Sequence, residues 1–216
     1  EDLSRGLGDV YKRQIYDDTV IAYTSDHGDA CGSHGLRAKL PCVYEEVMGV
    51  PLIMKVPGVT EAGSETDALA THVDLATTLC ALGGVDIDDA PTLSGVDLSP
   101  ALADPAASPR DYVFFSQDAA QSDLISHTRY AVRGFFDGET KYARYYGIGG
   151  GIDRAGNVDE RPKLFGEDAA FEDHDHEWYE LADDPHELVN LANDVSRKGE
   201  LREHFNRLLE IELAEL

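Results

Sequence analysis

Residues 19–39, TVIAYTSDHGDACGSHGLRAK, decide how this chain is read. The first six are β-branched, small or aromatic, and lie between the acids Asp17-Asp18 and the polar run that follows. Such a run reads as a buried parallel strand that closes on a loop. Asp26 and His27 then fall immediately past the strand's C-terminal end, where open α/β sheets place their ligand sites. Neighbouring side chains within a strand point to opposite faces. Past the end the backbone turns, and both can aim at one metal ion. Gly28 permits a close backbone approach at that turn. Lys39 lies far enough along for the loop to return its ammonium to the same pocket. A carboxylate, an imidazole and a cation around one point can hold a metal together with a tetrahedral oxyanion.

Working outward, VYEEVMG predicts a short helix and VPLIMKVPG a second strand, stopped at Pro57-Gly58. ALATHVDLATTLCALGG places Leu69, Val73, Ala76, Leu79, Cys80 and Leu82 at helical spacing, with Gly83-Gly84 as the stop. Strand, helix, strand and helix in this order predict an α/β layer: a partial parallel or mixed sheet with flanking helices. Residues 85–109, rich in Asp, Pro and Ser, read as a surface connection with a short helical turn near 98–103. The period then changes. DYVFFSQ, HTRYAVRGFF and TKYARYY predict antiparallel strands, the last two joined by a turn at Asp137-Gly138. RKGELREHFNRLLEIELAEL is an amphipathic terminal helix. The expected organisation is an α/β unit over 15–108 and a smaller α+β subdomain over 109–216. Residues 1–14 match neither and are expected to be non-native sequence.

The charge sets further bounds. Forty-two acids against 18 bases give −24, and only six of the bases are Lys. That surface repels phosphate backbones, which excludes nucleic acid as a partner. Acidity dispersed along the chain with few lysines fits adaptation to high salt, and fits an ordinary acidic protein as well. No stretch of 18 apolar residues offers a membrane span. Cys31, Cys42 and Cys80 have no CxxC spacing and cannot all pair, so they read as free thiols, Cys80 as a buried one. Free thiols and no visible export signal lean toward a cytoplasmic setting.

Four separated blocks carry a resemblance. They are TSDHGD with GSHGLRAK, YEEVMGVPLIMKVPG, HVDLATTL and EWYELADDPHELVNLA. In this order they resemble the sulfatase family of the alkaline-phosphatase-like superfamily, in its C-terminal portion. The resemblance implies that Asp26 and His27 are metal ligands and that Lys39 contacts the sulfate group. It places His34 in the pocket lining. The implied metal is Ca²⁺, which suits oxygen ligands, with Mn²⁺ made possible by the imidazole. The implied substrate is a small-molecule or carbohydrate sulfate ester.

The departures weigh as much. Members of that family are about twice this length, in line with one large α/β domain. Their other half supplies an Asp pair and the formylglycine nucleophile within C/S-x-P/A-x-R. None of Cys31, Cys42 and Cys80 begins that motif. The chain is therefore expected to be inactive by itself and to bind metal weakly. Two alternatives stay open: a phosphonate monoester or phosphodiester hydrolase of the same superfamily, and a non-catalytic binding or scaffold protein derived from that fold. His174 and His176 sit in an acidic run that reads as a solvated loop rather than a metal cluster. His72 reads as a capping or packing residue. Asp184 and Asn190, in D-P-x-E-x-x-N-L, read as caps of a turn.

Overall fold

A computed structural model describes residues 8, 11–37, 39, 42–86, 93–117, 131–146 and 170–216. The glycine-rich stretch at 147–151 and most of residues 1–14 lie outside the described residues. The chain divides into two compact units, one of residues 1–26 with 50–111, the other of 27–49 with 112–216.

In the first unit, β1 (Ile21–Thr24) pairs with β2 (Leu52–Lys55). The pairing is antiparallel, with Thr24 opposite Leu52 and Ile21 opposite Lys55. This corrects the parallel sheet expected from the sequence, and every pairing among the described residues is antiparallel. The reason lies in the connection. A parallel pair needs a crossover whose helix packs back onto the sheet. Between β1 and β2 the only described α-helix is the four-residue α1 (Glu45–Met48), and it belongs to the other unit. Lys55 closes the pair by donating from Nζ to the Tyr16 carbonyl at 2.7 Å.

The helix α2 (His72–Leu82) also belongs to this unit. It starts in a capping box: Thr71 and Asp74 satisfy each other's end of the first turn. Its stop is Gly83, whose amide bonds the Leu79 carbonyl at 3.0 Å, with Gly84 following at φ +77°. The apolar spacing of α2 faces the wrong way for a core. Asp74, Thr77 and Thr78 are the buried residues, while Val73 is 51% exposed and Leu79 45%. The inner face is held by polar bonds instead: Asp74 accepts from the Val96 amide at 2.9 Å and from Arg110, and Thr78 Oγ1 accepts from the Leu98 amide at 2.9 Å. The short α3 (Ser99–Ala103) follows, with Pro in its first turn where the missing amide costs nothing.

The second unit is built on a four-stranded antiparallel meander: β3 (Val113–Gln117), β4 (Ala131–Phe136), β5 (Thr140–Tyr146) and β6 (Asp175–Glu180), in that spatial order. The β4–β5 hairpin turns at Asp137-Gly138 as expected. Gly138 has φ +97°, and Asp137 accepts from the Thr140 amide at 2.8 Å. The terminal helix α4 (Lys198–Glu215) presents Leu201, Phe205, Leu208 and Ile211 at helical spacing. Those four pack against Phe135, Tyr142, Phe171 and Trp178 to make the core. Arg144 crosses this core to Glu212, fully buried, with contacts of 2.7 and 2.5 Å. Buried charge of this kind persists only because each group has its partner.

Candidate functional site

β1 stops at Thr24, and the Ser25 carbonyl lies 2.7 Å from His72 Nε2 at the start of α2. His72 is thus an anchor for the loop's departure. Asp26 follows with an exposed side chain. The chain then enters the second unit at His27, which is half-buried. His27 Nδ1 lies 2.6 Å from the Gly28 carbonyl oxygen. A carbonyl only accepts, so Nδ1 is the donor in this pair. A backbone carbonyl on one ring nitrogen is a common orienting partner of a metal-ligating histidine. A carboxylate oxygen and an imidazole nitrogen at adjacent positions fit a divalent cation in donor chemistry.

Gly28 does what a close approach demands. Its amide donates to the Val47 carbonyl at 2.9 Å, and a Cβ there would lie 2.0 Å from the Glu46 carbonyl oxygen. Asp29 then turns the chain by accepting from the Cys31 amide at 2.7 Å. That backbone bond holds its carboxyl below the usual range. Lys39 is exposed.

His34 sits in a single 3₁₀ turn (Ser33–Gly35) at φ 53°, an uncommon conformation for a residue with a Cβ. Its ring stacks on Tyr44, centroids 3.7 Å apart and planes nearly parallel, and its Nε2 lies 3.5 Å from Glu46 Oε2. Behind it, Glu177 accepts from Tyr145 at 2.8 Å and from Tyr44 at 3.4 Å. Burial pushes the Glu177 carboxyl up. Beside this network, Glu187 Oε2 accepts from the Glu45 amide at 2.6 Å, while Oε1 lies 2.8 Å from Lys141 Nζ.

His34, Glu46 and Glu187 each offer one ligand atom, all within 4.8 Å of one another. The Lys141 ammonium against Glu187 already supplies that carboxylate's counter-charge, which opposes a second cation there. Sequence reasoning did not single out Lys141, and it named Glu187 only as the glutamate of the D-P-x-E-x-x-N-L turn, without a role of its own. Glu187's only signal is its place between Asp184 and Asn190, both of which cap as expected. Asp184 accepts from the Val189 amide at 2.8 Å, and Asn190 Oδ1 accepts from the amides of Trp178 and Ala192.

The solvated loop expected at His174 and His176 is not what forms. His174 is buried, and His176 is a strand residue of β6 bonded on both sides, to Tyr142 Oη at 2.8 Å and to the Phe171 carbonyl at 2.9 Å. Phe171 stacks on His176, and Phe205 meets His176 edge-on and His174 at a tilt. Along β6 the side chains alternate, so His176 faces Tyr142 while Glu177 turns to the opposite face, against Tyr44 and Tyr145, and Asp175 is exposed. Of the cysteines, all free, Cys42 is buried, Cys31 exposed and Cys80 half-buried.

The sulfatase family profile matches residues 3–85, the stretch that contains the strand end and both strands of the first unit. Among curated relatives, N-acetylglucosamine-6-O-sulfatase of Bacteroides thetaiotaomicron is 35% identical over 112 residues, 52% of this chain and 20% of its own length. Arylsulfatase A of Bos taurus is 30% identical over 200 residues, 89% of this chain and 36% of the relative. A solved structure described as a complex with its substrate D-glucosamine-2-N,6-O-disulfate superposes with a TM-score of 0.73 at 24% identity, over 97% of this chain and 37% of the other. The phosphonate monoester hydrolase of Agrobacterium radiobacter superposes with a TM-score of 0.70 at 23% identity, over 99% and 39%. These two likenesses establish the fold. No helix among the described residues is long and apolar enough to cross a membrane. The chain belongs to the sulfatase family of the alkaline-phosphatase superfamily, and it spans little more than a third of the relatives it matches over most of its own length.

Proposed function

We propose that this chain supplies the metal- and sulfate-facing part of a sulfatase-type hydrolase that cleaves sulfate esters. Asp26 and His27 are the metal ligands, with Ca²⁺ the expected ion and Mn²⁺ the alternative. Lys39 contacts the sulfate group, and its ammonium offsets charge on the sulfuryl oxygens. His34 lines the pocket and is held there by Tyr44 and Glu46. When bound, the metal acts as a Lewis acid toward those same oxygens. The formylglycine nucleophile comes from polypeptide outside these 216 residues. Assayed as they stand, these residues are inactive, because no covalent route to the ester is left. Residues 15–108 are then the C-terminal part of the catalytic domain and 109–216 its α+β subdomain.

The observation that carries this reading is the strand end, where the Gly28 carbonyl accepts a hydrogen bond from His27 Nδ1 at 2.6 Å and so orients the imidazole, one residue beyond the Asp26 carboxylate. The relatives' names support sulfated sugars or aryl sulfates as the substrate class. The outward apolar residues of β1, β2 and α2 support further polypeptide of the same fold covering that face.

A chimera tests it. Residues 17–216 replace the matching section of bovine arylsulfatase A, and the purified product is assayed on 4-nitrophenyl sulfate and on a phenylphosphonate monoester. The expected result is sulfate-ester turnover by the chimera and none by the 216 residues alone. A chimera that prefers the phosphonate moves the reading to the phosphonate hydrolases. Turnover by the chain alone contradicts the proposal.

A further inference from the structure

We infer that Glu187 is a positioning residue, whose buried carboxylate ties the segment 27–49 to the C-terminal sheet and so sets the base of the loop that carries His27, His34 and Lys39. The tether is local. Glu187 has a fully buried side chain, and both its oxygens point at that segment or at its anchor. Oε2 accepts from the Glu45 amide at 2.6 Å, at the first residue of α1. Oε1 pairs with Lys141 Nζ at 2.8 Å, and Lys141 reaches on to Glu45 Oε2 at 2.9 Å. Lys141 belongs to β5, where it sits opposite Tyr179 of β6. One carboxylate therefore holds α1 by its backbone and, through one ammonium, by its side chain.

A four-residue helix has no stability of its own, because the cost of its nucleus exceeds what its few hydrogen bonds return. Its first amides also need acceptors from elsewhere. No side chain of the N-cap residue Tyr44 supplies one. Glu187 does, from a turn that holds it at φ +52°. A residue with a Cβ adopts that conformation only where its surroundings fix it, and here Asp184 does so by accepting from the Glu187 and Val189 amides. From α1 the constraint passes to the start of the loop, since Gly28 donates to the Val47 carbonyl at 2.9 Å. The two ends of the segment are thereby closed on each other.

The tether is independent of what the loop does. Only its meaning for catalysis rests on the sulfatase reading, and the experiment is chosen to keep the two apart. Amide hydrogen exchange is measured on the full 216-residue chain and on Glu187→Ala, Glu187→Gln and the double variant Glu187→Gln with Lys141→Met. In Glu187→Ala, exchange at Gly28 and at residues 45–49 is expected to rise about tenfold or more while the amides of α4 keep their rates. Glu187→Gln keeps an acceptor but removes one of the two carboxylates that hold the buried Lys141 ammonium, leaving it the more exposed Glu45, so it opens the segment in part. The added Lys141→Met then restores protection, a rescue that a general loss of packing would not give. Unaltered exchange at 28 and 45–49, or a rise matched in α4, overturns the inference. If the Ala variant does not fold, the unmodified chain decides it. There the Glu45 amide must be protected and its proton strongly downfield, as a donor to a charged carboxylate; an unprotected Glu45 amide overturns the inference.

Discussion

His204 shows at the scale of one residue how burial couples this protein to pH. Its ring lies 4.6 Å from Trp178 and 5.9 Å from Tyr142, and burial holds its imidazole below the usual histidine range. Glu180, Asp137 and Glu200 oppose that shift, and Arg207 adds to it. The unfolded chain therefore takes up the proton first. The contribution of His204 to stability is complete above about pH 6.5 and is lost as pH falls toward its folded value. His176 is lowered in the same direction, again by burial, whereas Glu177 is raised and acts in the opposite sense. We expect the urea midpoint to drop between about pH 7.5 and about pH 5.5, and His204→Leu to shrink that drop. Equal drops in the two proteins would show that His204 is not the group concerned. The sequence made some single residues legible and hid others. Asp184 and Asn190 cap their turn because capping is local chemistry, set within a few positions along the chain. His174 and His176 could not be read that way. Their acidic neighbours suggest water, but their surroundings are made by Arg144 on β5 and Phe205 on α4, far away in sequence.

Among the elements, α2 is the instructive case. Its stop at Gly83 was legible in the sequence and its Thr71–Asp74 capping box was not read there, and its orientation does not follow from its apolar spacing. Asp74, which is fully buried, joins the Thr71 amide, the Val96 amide and Arg110. Asp74→Ala should cost about 3 kcal/mol or more, because it removes the acceptor shared by a guanidinium and two amides. Leu79→Glu, on the outward face, should change the stability of the chain by no more than about 0.5 kcal/mol. Equilibrium unfolding followed by circular dichroism separates the two, and a larger loss for Leu79→Glu would refute this account of the helix. By contrast α4 was legible in full, since its four buried apolar residues lie on the stripe the sequence displays. The sense of the β1–β2 pairing was not, because the strand run itself is the same for either sense. What sets the sense is the path of residues 25–51, which leave for the other unit and return.

For the molecule as a whole, the net charge of −24 governs the energetics outside the core. Self-repulsion at that charge destabilises the folded state and is screened within about 8 Å at physiological ionic strength. The urea midpoint should therefore rise as NaCl is raised toward about 1 M, a trend opposite to that of a protein held by surface ion pairs. A midpoint that falls with salt would mean that pairs such as Arg202–Glu172 outweigh the repulsion. The functional reading depends on Lys39 and Asp26 serving one site. The most direct measurement is kcat/KM for sulfate-ester hydrolysis, with bound metal assayed in parallel, in the arylsulfatase chimera carrying Lys39→Ala or Asp26→Asn. We predict that Lys39→Ala lowers kcat/KM about a hundredfold or more at unchanged metal content, and that Asp26→Asn loses metal and activity together. A Lys39→Ala chimera with full activity, or an Asp26→Asn chimera that keeps its metal, would contradict it.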